Sequence, residues 1–391
     1  MISRKMPLLM LLGLLALILW GNALPLPMKQ FFYTLSLTIK SLIICILPVL
    51  VFGLLLKATI NLSQNATRIL ALILVGVVCS NFLSTMLSHY VGMMIYQIDL
   101  SVLSPDHEES LQPLWQFQFP KLASTAHAMF GGIFVGLLAA ILKIKSITTF
   151  SERFETIINL ILKLLKCIVP FFVLGFIVKL QHDGLIAIIV QDYSVIFAVI
   201  TASLVVYLFS IYFIFNDCQL APTMNSIKNL LPASLAGFLG MSSAAAMPLT
   251  ILGAKANAKQ KDLANSIIPA TVNVHLIGDC FAIPILAYAV LKSFGLEQPD
   301  LLTYTQFTLY FVLAKFSVAA VPGGGILVML PILQNNLGFT TDMQALITAL
   351  YLLFDPIITA ANVLGNGAFA KMIDTVVSKQ FGRDTMQFRS L

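Results

Sequence analysis

The sequence predicts an all-α polytopic membrane protein with eight transmembrane helices plus two re-entrant helical hairpins. Composition is the first observation, since 59% of the 391 residues are hydrophobic and 10% are charged, whereas a soluble surface needs about a quarter or more charged residues. The second is the number of apolar stretches that approach bilayer length, which takes about 20 residues. The third occurs twice after residue 230: an apolar segment interrupted by small residues and proline, then an apolar helix with polar groups at its middle.

Eight apolar segments are candidates for transmembrane helices. They lie near residues 6–20, 41–56, 69–96, 128–142, 157–178, 195–215, 267–291 and 343–372. An even number of spans places both termini on one side, and the Lys and Arg residues of the connecting segments concentrate on that side. We therefore expect a multi-pass protein of the bacterial inner (cytoplasmic) membrane with both termini cytoplasmic. The net charge of +6 is then explained by the basic residues of the cytoplasmic loops. No nucleic-acid partner is expected.

Several function classes are excluded by missing motifs. The chain has no Walker loop and no GxGxxG sequence, which argues against an ATP-driven pump or a nucleotide enzyme. It has no HExxH sequence and no visible set of serine, histidine and carboxylate for nucleophilic catalysis. Five cysteines are scattered without CxxC spacing, so neither a disulfide framework nor a zinc site is expected. We expect a protein that is not an enzyme and needs no resident cofactor.

The two interrupted segments lie near residues 231–252 and 307–333. Backbone left unpaired at such breaks is tolerated in a membrane only where protein or a watery cavity surrounds it. Paired interrupted segments indicate the substrate site of a secondary transporter. The first carries Ser242 and Ser243, and the second carries the glycines of VPGGG, where backbone can approach a ligand closely. A pair of kinked but continuous helices is the alternative.

Ionisable side chains interrupt the apolar segments of the C-terminal part at His275, Asp279, Lys315 and Asp355. Each is costly inside a membrane and is therefore a functional hypothesis. Asp279 follows His275 by one helical turn, so in a continuous helix the two would share a face and could form a hydrogen bond. Such a pair could be structural, closing a polar gap between helices, or it could carry a proton, since histidine titrates near physiological pH.

Three polar residues recur at helical spacing in the last apolar segment. Asp355, Thr359 and Asn362 would place a carboxylate, a hydroxyl and an amide on one helical face. A carboxylate suits an ammonium group, and an amide can donate to a carboxylate, so this face could bind a zwitterion. The alternative is a polar seam between packed helices.

These segments resemble, in type and order, those of the dicarboxylate/amino acid:cation symporter family, which has the glutamate-transporter fold. GMSSAAAMPLT is similar to the serine-rich first hairpin of the family, and ATVNVHL lies where the family has ATxNMDG. VPGGG resembles VPGAG, and DPIITAANVLGN aligns without gaps with D-x-x-R-T-x-x-N-V-x-G-D. The resemblance covers nearly the whole chain.

The resemblance implies a division of the chain into three parts. Residues 1–220 would form mainly the frame and trimerisation helices, with the third and sixth spans shared with the transport part. Residues 221–380 would form the transport core, with hairpin 1, span 7, hairpin 2 and span 8, and residues 381–391 a cytoplasmic tail. The resemblance also implies a homotrimer and an elevator-like movement of the transport core against the frame.

Substrate contacts follow from the resemblance position by position. Asp355 would bind the substrate amine, Asn362 the substrate carboxylate, and Thr359 would assist them. The arginine with which the family binds an acidic side chain falls on Ile358, so an acidic side chain would be left unpaired and a small neutral amino acid is expected. The further substrate contacts implied are Ser242, Ser243, Val321 and Gly325.

Coupling ions are the point at which the chain departs from the family. The aspartate of the NMDG sequence is His275 here and the closing aspartate of the last motif is Asn366, although hard cations prefer carboxylates. The positions implied in cation coupling are His275, Asp279, Asn273, Asn366, Cys79 and Ser80, with Asn273, Asn362 and Asn366 as weak sodium ligands. Lys315 adds a positive charge where the resemblance places a cation. Proton coupling through His275 and Asp279, altered sodium coupling and loss of coupling stay open.

The expected function is a symporter that moves a small neutral amino acid across the membrane, with Na⁺ or H⁺ as the coupling ion. One alternative is a C4-dicarboxylate or organic acid:cation symporter. Another is a sensor that kept the fold without transport. The expected partners are a small-molecule substrate, the lipid bilayer and further copies of the chain in a homotrimer.

Overall fold

The computed structural model describes residues 23–64, 68–101, 111–120, 123, 125–142, 145–318 and 323–381. Within these ranges the regular structure is helical and no strand occurs, which confirms the all-α prediction for this part of the chain. The described helices are α1 (Leu26–Gln64), α2 (Arg68–Ile95), α3 (Thr125–Ile141), α4 (Lys145–His182), α5 (Leu185–Ile214), α6 (Leu220–Gly240), α7 (Ser243–Asn257), α8 (Lys261–Thr271), α9 (Ile277–Ser293), α10 (Leu301–Lys315), α11 (Gly324–Leu337) and α12 (Thr341–Phe381).

Several described helices are apolar and long enough to cross a membrane. Helical segments of this kind are Leu72–Ile95 in α2, Gln191–Ile214 in α5 and Thr341–Ser378 in α12, each with an apolar window of 18 residues. The predicted spans near 41–56 and 128–142 fall within α1 and α3. The predicted first span near 6–20 and the tail beyond residue 381 lie outside the described residues.

Helices α1, α3 and α4 pack on one another through small residues. A Cβ on Gly132 of α3 would lie 2.6 Å from the carbonyl oxygen of Phe52, and one on Gly136 would lie 2.7 Å from Thr59 Cβ. On α4, Gly175 packs directly on the backbone of α1. Small residues are the usual means by which helices approach closely in membranes, where packing rather than water exclusion drives association.

Helix α9 packs against α2, α5 and α12. Nearly every residue of α9 is buried, which is typical of a helix that is apolar on all sides. Polar contacts hold its ends. Lys292 Nζ donates to the carbonyl oxygen of Tyr96 at 2.8 Å, which joins the carboxyl ends of α9 and α2.

The first interrupted segment folds as two antiparallel helices, α6 and α7, which we call the first hairpin. Met241, with a left-handed φ of 45°, ends α6. Ser242 then caps α7 by accepting a hydrogen bond from the backbone N–H of Ala245 at 3.3 Å. The arms are joined where Asn229 donates to Asn257 at 2.8 Å. The kinked but continuous helix considered as the alternative is therefore not formed here.

The second interrupted segment forms α10 and α11, which pack against each other and which we call the second hairpin. Helix α10 ends at Lys315, and Gly323, with φ of 72°, precedes α11. A left-handed φ is accessible to glycine at no steric cost. Val321, a predicted substrate contact, lies outside the described residues.

The predicted seventh span is broken near its start. Helix α8 ends at Thr271 and α9 begins at Ile277. The carbonyl oxygen of Thr271 accepts from the backbone of both Val274 and His275, at 2.9 and 2.8 Å, which forms a turn in place of a continued helix. The prediction of one continuous helix over 267–291 is therefore wrong, and the break contributes part of the cavity described next.

Candidate functional site

A small cavity lies between the tips of the two hairpins, the break before α9 and the middle of α12. It has a volume of about 30 Å³, which suffices for about one water molecule. An amino acid could therefore enter only if the lining elements moved apart. Six of the predicted substrate residues line it: Ser242, Ser243, Gly325, Asp355, Thr359 and Asn362.

Asp355 presents a buried carboxylate to this cavity. Its side chain accepts hydrogen bonds from the backbone N–H of Gly323 and from Thr359 Oγ1, each at 3.1 Å. Among the described residues no basic side chain forms an ion pair with it, and the residue is 3% exposed. A buried carboxylate without a counter-charge favours binding of a cation, because burial of an unpaired charge is costly.

Two helix amino termini face the same cavity. Helix α7 begins at Ser243, and the first turn of α11 contains Gly325; both residues line the cavity. The first backbone N–H groups of a helix have no acceptor within the helix and carry partial positive charge. Such termini bind carboxylates and other anions. The cavity thus combines a site for a cationic group with a site for an anionic group.

Asn362 connects α12 to the start of α9. Its Oδ1 accepts a hydrogen bond from the backbone N–H of Gly278 at 2.7 Å, which leaves its amide hydrogens for a ligand. The structure brings Asp355, Thr359 and Asn362 together on the cavity wall; their roles in binding stay predictions. Ile358 differs, because its side chain is fully buried in the apolar core and does not line the cavity. The predicted substrate contact at Ile358 is therefore not made in this arrangement.

His275 and Asp279 do not form the predicted pair. Asp279 accepts a hydrogen bond from the hydroxyl of Tyr351 at 2.6 Å and forms an ion pair with Lys315 at 3.2 Å. The imidazole Nε2 of His275 lies 2.9 Å from Ser80 Oγ instead. The cause is the break before α9, since the one-turn spacing aligns two side chains only in a continuous helix.

The remaining residues predicted to couple a cation lie at different distances from the cavity. Ser80 contacts His275, whereas the neighbouring Cys79 is exposed on the surface of α2 and does not line the cavity. Asn273 lines the cavity. Asn366 is buried one turn from Asn362 and donates to its backbone carbonyl at 2.9 Å.

These residues are a poor match for sodium. In the described part of the chain there is no group of three or more His, Cys, Asp or Glu side chains that could hold a metal ion. The predicted weak ligands Asn273, Asn362 and Asn366 provide amide and carbonyl oxygens only, and Asn362 Oδ1 already accepts from Gly278. Hard cations are bound best by carboxylates.

Sequence reasoning missed two polar residues close to the site. Tyr351, which holds Asp279, lies one helical turn before Asp355 in α12, and that spacing was a usable signal. Asn81 donates to the backbone carbonyl of Val274 at 2.7 Å and so connects α2 to the break before α9. Nothing in the sequence around Asn81 pointed to this long-range contact.

Comparison with known proteins identifies the family. The profile described as "Sodium:dicarboxylate symporter family" matches residues 6–376. One relative is the human (Homo sapiens) excitatory amino acid transporter 5, which is 25% identical over 162 residues, or 41% of this chain and 28% of that protein. The aligned region thus spans little more than a quarter of that relative. Because the family profile covers nearly all of this chain, the protein belongs to the sodium:dicarboxylate symporter family, which is a family of multi-pass membrane transporters and not of enzymes.

Proposed function

We propose that the protein is a symporter for a small neutral amino acid, with an elevator-like movement of residues 221–380 against the frame. The observation that carries this proposal is the Asp355 carboxylate, which faces the cavity without a described basic partner while two helix amino termini face it from the hairpins. We further propose eight spans, two re-entrant hairpins and cytoplasmic termini in an inner membrane.

The chemistry of the cavity wall favours an amino acid. Asp355 suits the ammonium group, while the amide of Asn362 and the helix terminus at Ser243 suit the carboxylate. The side chain of the substrate would meet apolar groups, because the lining also includes Val272 and Leu276. Among the described residues that line the cavity there is no Lys or Arg, so an acidic side chain would be buried without a described partner.

The charges near the cavity favour a coupled cation. Lys315 neutralises Asp279, and Asp355 then leaves one negative charge. A zwitterionic amino acid has no net charge, so the loaded site would still carry that one charge inside the membrane, which is costly. One proton or one monovalent cation would remove it. We propose a proton, since the predicted sodium positions are occupied by His275 and Asn366.

Organic acid transport is the second candidate, and the description of the matching family, which names dicarboxylates, favours it. It requires Asp355 to be protonated or turned away, because the anionic ends of a dicarboxylate would otherwise meet a carboxylate.

A sensor that does not transport is the remaining alternative. It would be stabilised by its ligand but would show no flux.

We also propose that the protein forms a homotrimer through the frame helices. The supporting observation is the exposed apolar surface of α3 and α4, which includes Phe130, Phe134, Ile157 and Leu160. Lipid could also cover this surface, so cross-linking in native membranes would distinguish a trimer from a monomer.

An uptake screen with purified full-length protein in liposomes tests the proposed function. Sodium and proton gradients are imposed independently, and each of a set of amino acids and organic acids is offered in turn. We expect accumulation of small neutral amino acids under an inward proton gradient. Accumulation of organic acids alone would support the second candidate, and binding without any flux would support the sensor.

A further inference from the structure

A buried ion pair joins the second hairpin to helix α9. Lys315 Nζ, on the last residue of α10, lies 3.2 Å from Oδ2 of Asp279, in the first turn of α9, with side-chain exposures of 0% and 2%. The other carboxylate oxygen accepts a hydrogen bond from Tyr351 of α12 at 2.6 Å. One carboxylate therefore connects three elements of the structure.

Both arms of the second hairpin meet at this carboxylate. Lys315 belongs to the first arm. Gly325 belongs to the second, and a Cβ there would lie 2.6 Å from the Tyr351 hydroxyl and 3.0 Å from Asp279 Oδ1. Only a residue without a side chain allows this approach. Asp279 is thus the residue of α9 that both arms of the second hairpin contact.

The ammonium group lies behind the carboxylate as seen from the cavity. Asp279 lines the cavity, whereas Lys315 does not. Lys315 Nζ also lies 4.4 Å from the centre of the Phe311 ring, a distance at which a cation is attracted to the ring face. Its position at the carboxyl end of α10 adds the favourable effect of the helix dipole on a positive charge.

The surroundings of the ammonium are those of a site for a cation. A buried carboxylate and the carboxyl end of a helix are groups that attract a small positive ion. Without the lysine, the Asp279 carboxylate would be buried without a described counter-charge, which is strongly unfavourable. A free cation from solution could then compensate it.

We propose that the Lys315 ammonium is a built-in cation that holds the second hairpin closed against α9, so that closure requires no metal ion from solution. The proposal rests on the proposed function in one respect, namely that a substrate enters this cavity, which requires the elements that line it to move apart. It makes Lys315 a positioning residue that determines ion dependence, because it acts through Asp279 and does not line the cavity.

The test is the melting temperature of the purified full-length protein, without substrate, in sodium chloride and in choline chloride of equal ionic strength. We expect the same melting temperature for the wild type in both salts. Lys315→Ala vacates the position beside Asp279, so we expect a lower melting temperature in choline chloride and a saturable rise of a few degrees with sodium, as ligand binding to the folded state requires.

Two further variants make this comparison specific. Lys371→Ala removes a lysine whose ammonium donates to the backbone carbonyl of Asn257 at 2.9 Å, with no carboxylate left behind, so we expect no specific effect of sodium. The neutral pair Asp279→Asn with Lys315→Met removes both charges, and we expect it to fold and to melt at the same temperature in both salts.

Three results would overturn the proposal. The first is a saturable stabilisation of the wild type by sodium over choline. The second is a folded Lys315→Ala protein that melts identically in both salts. If Lys315→Ala does not fold, the neutral pair decides, because stabilisation of that pair by sodium would place the ion elsewhere. Since no substrate is present, failure of the amino acid assignment would leave these measurements unaffected.

Discussion

Gly278 donates its backbone N–H to Oδ1 of Asn362 at 2.7 Å. This hydrogen bond joins the start of α9 to the middle of α12 and fixes the orientation of the Asn362 amide at the cavity. It is possible because the two helices touch at this point: a Cβ on Gly278 would collide with the backbone carbonyl of Ile358 and lie 3.0 Å from Asn362 Oδ1.

Gly278→Ala should therefore damage both stability and substrate binding. The added methyl meets a backbone carbonyl, which cannot rotate away, and overpacking of this kind costs about 1–3 kcal/mol. We expect a lower melting temperature and an affinity for the substrate reduced by about tenfold, the equivalent of about 1.4 kcal/mol. Gly240→Ala is the control, because a Cβ there has no atom within 4 Å. Equal behaviour of the two variants would contradict the close approach.

Asp355→Asn should weaken recognition of the substrate amine. Asparagine has nearly the same shape as aspartate and still accepts a hydrogen bond, but it carries no charge. The substitution therefore removes a hydrogen bond to a charged group, which is worth about 1.5–3 kcal/mol. We expect the affinity for a neutral amino acid to fall by a factor of about 10 to 150, measured by equilibrium binding. Asp262→Asn, an exposed position in the first turn of α8, should leave the affinity unchanged. Wild-type affinity in Asp355→Asn would remove Asp355 as the amine partner.

Tyr351→Phe should loosen the second hairpin. The substitution removes the hydroxyl that donates to Asp279 at 2.6 Å and leaves a buried carboxylate with one donor fewer, at a cost of about 1.5–3 kcal/mol. We expect a lower melting temperature and faster amide hydrogen exchange in α10 and α11. Tyr310→Phe is the matched control, because the hydroxyl of this half-buried tyrosine makes no hydrogen bond with a described residue. A Tyr351→Phe protein as stable as this control would show that the contact contributes nothing.

His275→Gln should separate proton coupling from substrate binding. Glutamine can still hydrogen-bond to Ser80 but cannot carry a proton at the imidazole position, and His275 does not line the cavity. We expect binding to stay within about twofold of wild type, a change of under about 0.5 kcal/mol, while accumulation under a proton gradient falls. His182→Gln, at the end of α4, should retain both properties. Unchanged proton-driven accumulation in His275→Gln would exclude His275 as the proton carrier.

The features that the sequence predicted depend on local structure. Asp355, Thr359 and Asn362 line one cavity because α12 continues without a break through all three positions, and a continuous helix keeps one-turn and two-turn neighbours on one face. Helix α6 ends before Met241, whose φ is left-handed, and Ser242 caps the start of α7, while Pro232 and Pro248 lie inside the two helices. The small residues and the serine cap of this segment therefore indicated the break.

The errors arose where a local rule depended on long-range structure. The spacing of His275 and Asp279 required a helix that the turn after Thr271 interrupts. Ile358 lies about 60° around the helix from Asp355, which places it against the start of α9 rather than in the cavity. The ion pair between Lys315 and Asp279 joins two separate elements, and no periodicity in the sequence could indicate it.

We propose that the cavity at Asp355 takes a neutral amino acid and not a dicarboxylate. The most direct test of this proposal is uptake of labelled alanine into liposomes that contain the purified protein, under an inward proton gradient, with leucine or succinate as the competitor. We expect alanine to accumulate, leucine to compete with it and succinate not to compete. Accumulation of succinate that alanine fails to inhibit would contradict the proposal.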